Sequence, residues 1–308
     1  MIIILIYILL RLFVPVSNYY LEGDEVRHLA CAKNFYKLWN KSFYDMHPPF
    51  YSWLIRIFKS GVIVSFICSM LLYLVSSKLY DIILTPPQKT IALLFLTFNY
   101  TLIYYSNRTF RYQLICLLGT ASVYLLLIHN WIAGGAALGL LGLTCTYAGL
   151  RGFWIWLILG ANPVAWIAYS SVFGSWFLTK ALIYDSHKYY PSGIEGKIEQ
   201  VNPYTWKQLF SPFYFKWTYS QEGKKELKYT WPHNLGGLFG LYKGLWVLLP
   251  VALLLCFLGA FSAPWWLNLL TGILLYPSLL KRFNPRNSII AIPLLGILLA
   301  KGISVLIH

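Results

Sequence analysis

Repeated apolar runs constrain this chain more than any other feature of its sequence. They are roughly 17 to 22 residues long, the length a helix needs to cross a hydrocarbon core about 30 Å thick. The chain has 308 residues, 58% of them hydrophobic and 11% charged, whereas soluble domains carry about 25% charged residues. The sequence therefore predicts an all-α polytopic membrane protein, a single domain over residues 1–308. About ten transmembrane helices are expected, in a range of roughly 8 to 11. The spans read as Ile2–Val16, Gly61–Tyr80, Thr90–Tyr105, Tyr112–Ile128, Trp131–Leu150, Gly152–Leu159, Pro163–Ile183, Gly244–Phe261, Trp265–Leu280 and Ile289–Leu306. The first lacks a basic leader and a small-residue cleavage site, so it reads as a retained span. Arg11 within it is expected to snorkel toward an interface. Gly134, Gly135, Gly139 and Gly142 in the fifth let helix backbones approach closely and predict a central position.

Two stretches break this pattern and read as enlarged external loops bearing interfacial helices: residues 17–59 and residues 184–242. The second is dense in Tyr, Trp and Pro, which suits the bilayer interface. The net charge of +15 comes from 25 Lys and Arg against ten acids. Basic residues flanking spans attract anionic headgroups and phosphate-bearing lipids by about 1 kcal/mol each. The bilayer is thus the expected partner, and the charge requires no nucleic acid. The five cysteines form no CxxC pair and read as small buried apolar residues.

Four of the ten acids, Glu22, Asp24, Glu25 and Asp45, fall in the first of these loops, which closes with His47-Pro48-Pro49-Phe50-Tyr51. A carboxylate beside the headgroups can meet a lipid-borne phosphate and a water-borne substrate. Moving a sugar from a phosphate to a hydroxyl needs a base to deprotonate that hydroxyl as it attacks the anomeric carbon. One carboxylate suffices for direct displacement with inversion, whereas retention needs two. The bland alternative is a solvated acid pair. Helical spacing over Val26 to Lys37 places basic residues on a different face from apolar ones, as in a helix lying along the membrane. His28, Lys33 and Lys37 there meet either phosphate or headgroups. Arg108 and Arg111 at span ends, and the Lys281, Arg282, Arg286 cluster, can clamp a phosphate or simply anchor helices.

The order Asp24-Glu25, then His47-Pro48-Pro49-Phe50-Tyr51, then Tyr105-Ser106 through Arg111-Tyr112 resembles the dolichyl-phosphate-mannose protein mannosyltransferase-like glycosyltransferases. These GT-C enzymes include protein O-mannosyltransferases and the aminoarabinose transferases of lipid A. Arg286-Asn287 through Pro293 resembles their late helix start. The likeness covers Met1 to Ile128 and, loosely, the carboxyl end. It implies an inverting transferase taking sugar from a polyprenyl-phosphate carrier to a protein, lipid or glycan acceptor. Asp24 would be the catalytic base and Glu25 its support. His47, Arg111 and Arg286 would lie near the carrier phosphate, and Arg108, Tyr112, Lys281 and Arg282 are the further substrate-binding candidates. The resemblance implies no metal and no cofactor, and residence in the plasma membrane of a prokaryote or the endoplasmic reticulum of a eukaryote. Many relatives carry a second acid where this chain has Gln113, and most are longer. The topology of the family puts both enlarged loops outside, although the sparse inner Lys and Arg run against the positive-inside rule. The competing readings are a transporter or flippase of a lipid-linked or small anionic substrate, and a catalytically silent assembly partner. A transporter usually places ionisable residues within its spans, whereas nearly all the charges here are expected at span ends.

Overall fold

The computed structural model describes residues 2–13, 23–33, 49–183, 236–241, 243–279 and 285–307. Their regular structure is helical, with no strand among the described residues. The helices are α1 Ile2–Phe13, α2 Gly23–Lys33, α3 Phe50–Phe58, α4 Gly61–Ile83, α5 Pro86–Phe98, α6 Tyr100–Ser106 and α7 Tyr112–Leu127. They continue as α8 Trp131–Thr144, α9 Thr146–Ile158, α10 Pro163–Ile183, α11 Leu249–Ser262, α12 Trp265–Leu279 and α13 Ile292–Ile307. Two 3-10 segments, Lys243–Leu248 and Pro285–Ala291, precede α11 and α13. Two helical stretches, Gly61–Ile83 and Ser288–Ile307, are long and apolar enough to cross a membrane.

Local chemistry sets the helix ends. Ser60 accepts from the Ile63 amide at the start of α4, and Asn130 from Ala133 at the start of α8. Pro86-Pro87 opens α5 where amides need no partner, and Gln88 Oε1 accepts from the Thr85 amide. Two expected spans are interrupted. Thr90–Tyr105 breaks at Asn99, whose Oδ1 accepts from the Leu102 amide while its Nδ2 donates to the Leu238 carbonyl. An asparagine that satisfies backbone groups in this way competes with the helix it interrupts. Trp131–Leu150 breaks at Cys145, which is extended, and the short sixth span becomes part of α9.

Large apolar side chains face outward as well as inward, unlike the one-sided pattern of a soluble surface helix. On α4 the buried side chains include Ser65, Ser69 and Ser76, while Ile63, Leu71, Leu74 and Ile82 face outward. Ile2, Leu5, Leu9 and Phe13 on α1, and Leu254, Phe257 and Phe261 on α11, are exposed as well.

Contacts fix how the helices run. The Tyr7 ring lies tilted against that of Tyr73 and Arg11 reaches Ser69, so α1 is antiparallel to α4. Gly61 packs on Thr109, and Ser65 Oγ donates to the Phe110 carbonyl at 3.0 Å, so α4 and α7 start at the same end. Cys116 meets the Ile289 carbonyl and Tyr80 meets that of Pro293, so the Pro285–Ala291 segment and α13 also descend from that end. The glycines of α8 pack as expected. A Cβ at Gly135 would overlap the Ala165 backbone, and Cβ atoms at Gly139 and Gly142 would overlap Val172 and Phe173 of α10. Residues 135, 139 and 142 meeting 165, 172 and 173 make α8 and α10 parallel, both running toward the Gly61 end.

Arg11 corrects its expectation. It is fully buried, not directed to an interface. Its Nε donates to Ser69 Oγ at 2.8 Å, and its remaining donors reach the Tyr7, Leu96 and Thr97 carbonyls at 3.2–3.3 Å. The guanidinium lies 3.3 Å from the Tyr7 ring centroid. It thereby caps the carbonyl end of α5, where the helix dipole is negative and the Asn99 break leaves acceptors open. Arg151 is buried too, so charge is not confined to helix ends.

Candidate functional site

The candidate site is built around the corner between α6 and α7, residues Asn107 to Arg111, at the end of the bundle where α4 and α7 begin. Gly61 lets the corner settle against the start of α4, because any side chain there would meet Thr109. Tyr51 of α3 ties in from the side, its hydroxyl 3.3 Å from the Gly61 carbonyl and 3.1 Å from Ser65 Oγ.

Helix α2 is held to this corner by Glu25, whose carboxylate is fully buried. Arg108 Nη2 donates to Glu25 Oε2 at 2.6 Å and Nε to Oε1 at 3.3 Å, the two-pronged geometry that suits guanidinium and carboxylate. The Thr109 amide adds a third bond to Oε1 at 3.0 Å. Arg108, only 4% exposed, also donates to the Tyr104 hydroxyl and lies 5.1 Å from that ring's centroid and 5.5 Å from that of Phe110. Neither ion is well solvated, so each is a severe cost without the other.

One helical turn beyond Glu25, His28 is also buried, with its ring edge-on to Tyr51 at 5.0 Å. Burial, then the nearby Arg111 guanidinium, holds its pKa well below the usual histidine value, so the imidazole is neutral at pH 7. The buried face of α2 is therefore Glu25, His28, Cys31 and Ala32. His28 is thus turned into the protein and not toward phosphate or headgroups, while Lys33 on the same helix is exposed.

Arg111 sits at the amino end of α7, 6% exposed, where the helix dipole is positive. Tyr112 is buried in an aromatic cluster, 4.8 Å from Tyr105 and 5.4 Å from Phe110 between centroids. It forms the floor of the corner and not its surface. The described side chains of the corner thus comprise two guanidiniums, one carboxylate and a neutral imidazole.

The expected residues divide as follows. Glu25, Arg108, Arg111 and Tyr112 are brought together at this corner. Asp24 lies in the first turn of α2, one residue before the anchored Glu25. Arg286 lies in the 3-10 segment whose Ile289 abuts Cys116, one turn into α7, so its backbone is at the same end of the bundle. His47, Lys281 and Arg282 lie outside the described residues. Among the described residues no group of three or more His, Cys, Asp or Glu side chains gathers to hold a metal.

Sequence reasoning missed Ser65, Tyr104 and Thr109, and gave Tyr51 no role beyond closing the His47–Tyr51 motif. Ser65 left a signal: with Ser69 and Ser76 it makes a polar stripe at helical spacing inside an apolar run. No family model matches the chain, nor does any curated protein or solved structure.

Proposed function

We propose that this chain is a membrane-embedded glycosyltransferase that moves a sugar from a polyprenyl-phosphate carrier to an acceptor hydroxyl, with inversion. The observation that carries the reading is the Glu25–Arg108 clamp. It fixes the acid-bearing helix α2 beside the arginine-bearing start of α7, at the end of the bundle that also receives the Arg286 segment. Base and phosphate ligands are the two components such a transfer needs. The outward-facing apolar side chains support about ten membrane passes with this end at one interface.

In the proposed reaction, Asp24 takes the proton of the acceptor hydroxyl as its oxygen attacks the anomeric carbon. The bond from that carbon to the phosphate oxygen breaks on the opposite side, and its electron pair leaves with the polyprenyl phosphate. Arg111, with Arg286, His47, Lys281 and Arg282, stabilises the growing negative charge of the leaving group, which is commonly the largest single catalytic contribution. Glu25 and Arg108 hold the frame: each neutralises the other, so Arg108 acts on the substrate through position and Glu25 through its grip on α2.

A transporter of an anionic substrate is the second reading, favoured by the buried Arg11 beside the α5–α6 break, since broken helices and buried charges mark transport sites. Arg11 is, however, engaged by three backbone carbonyls and Ser69, the pattern of a helix cap. The test is to supply the purified chain in vesicles with labelled polyprenyl-phosphate mannose, glucose, galactose or aminoarabinose. Label moving to acceptor supports the transferase. Label moved across the bilayer with its bond intact supports the transporter.

A further inference from the structure

Two buried side chains near this corner hold oxygens without hydrogen-bond partners. Gln113, in the first turn of α7, donates through Nε2 to the Leu102 carbonyl, but its Oε1 accepts nothing. Ser288, in the segment before α13, has no partner for Oγ. Both residues are fully buried. Buried polar atoms are almost always paired, so an unpaired one marks strain or an absent ligand.

The register of the two elements places them together. Cys116 Sγ meets the Ile289 carbonyl at 3.3 Å, and Ile290 fills the space beside Gly119. Gln113 lies one turn before Cys116 on the same face of α7, and Ser288 is the residue before Ile289. Ser288 also departs from helical geometry, at φ −113° and ψ 16°, so the segment bends there. Gln113 thus lies between α6 and α7, and Ser288 lies in the segment that packs against the first turns of α7.

The chemistry narrows the occupant. A cation is disfavoured by Arg111 and by the positive end of α7. An anion is disfavoured by the carbonyl-type Oε1, which only accepts. A neutral hydroxyl suits both atoms, donating to Gln113 Oε1 and accepting from Ser288 Oγ. We propose that Gln113 and Ser288 form a subsite for a hydroxyl of the donor sugar, an inference that rests on the transferase reading above. Both atoms are sealed from solvent, so the bend at Ser288 is where the segment yields to admit the sugar.

Binding to the full chain in nanodiscs tests this, with two probes: polyprenyl phosphate without sugar, and polyprenyl-phosphate hexoses carrying mannose, glucose or galactose. The wild type is expected to bind at least one hexosyl form about tenfold more tightly than the bare phosphate, the effect of one well-made hydrogen bond to a buried group. Gln113→Leu and Ser288→Ala should each remove most of that gain and leave bare-phosphate binding unchanged. Ser288→Ala deletes only the unpaired hydroxyl, so its thermal transition should not fall even if Gln113→Leu, which also releases the Leu102 carbonyl, folds poorly. Variants that retain the gain, or that lose both probes equally, overturn the subsite. So does a wild type that binds the bare phosphate but gains nothing from sugar. A wild type that binds neither probe overturns the transferase reading, and the subsite with it.

Discussion

Replacing Glu25 with glutamine tests the clamp that organises the corner. The substitution keeps the shape and the Thr109 amide bond but removes the charge opposite a 4% exposed Arg108. A pair of unit charges about 4 Å apart at an effective dielectric near 20 is worth about 4 kcal/mol. Breaking a buried pair from one side costs about 3–5 kcal/mol because the other charge is left uncompensated. The closest contact here, 2.6 Å, with a second prong at 3.3 Å, puts the clamp inside that regime. We expect Glu25→Gln and Arg108→Met each to lose about 3 kcal/mol. The double variant should lose well under the sum, with a coupling of about 2 kcal/mol or more. Reversible unfolding in mixed micelles, read by tryptophan fluorescence, measures all four corners of the cycle. Two single losses below about 0.5 kcal/mol that simply add would refute the clamp.

Three further outcomes follow from the same packing. Folded His28 has a pKa below that of the unfolded chain, 6.5, so the unfolded state takes up the proton first as pH falls. Its contribution is therefore complete above about pH 6.5 and lost below it by about 1.4 kcal/mol per pH unit until the folded imidazole protonates. Melting between pH 7.5 and 5.5 should show this fall in the wild type and a flatter profile in His28→Gln. Arg11→Met strips donors from the Leu96 and Thr97 carbonyls and should cost about 2–4 kcal/mol, with Arg11→Lys recovering only part, because lysine lacks the fork. Gly135→Ala or Gly259→Ala, each forcing a Cβ into a facing backbone, should cost about 1–3 kcal/mol in the same unfolding measurement.

The helices were legible because hydrophobic length and breakers act locally. Pro86-Pro87 and Asn162-Pro163 end or open helices wherever they stand, and the glycines of α8 announce a close neighbour whatever that neighbour is. The breaks at Asn99 and Cys145 were hidden, since their residues occur within helices and the deciding partners, such as the Leu238 carbonyl, are far away in sequence. Glu25 and Arg108 were each visible as unusual charges in an apolar chain. Their pairing was not, because a contact over 83 positions leaves no periodic trace. Arg11 was misplaced for a related reason: snorkelling is the default for an arginine near a helix end. Four polar acceptors assembled from α1, α4 and α5 override it.

In the proposed reaction Asp24 takes the proton, and Glu25 holds the helix that carries it. Transfer from a labelled polyprenyl-phosphate sugar, measured beside the thermal transition of the same preparations, tests that division most directly. Asp24→Asn should abolish transfer while the transition stays within a degree or two of wild type, whereas Glu25→Gln should lower the transition first and transfer as a consequence. Unchanged transfer by Asp24→Asn would contradict the account.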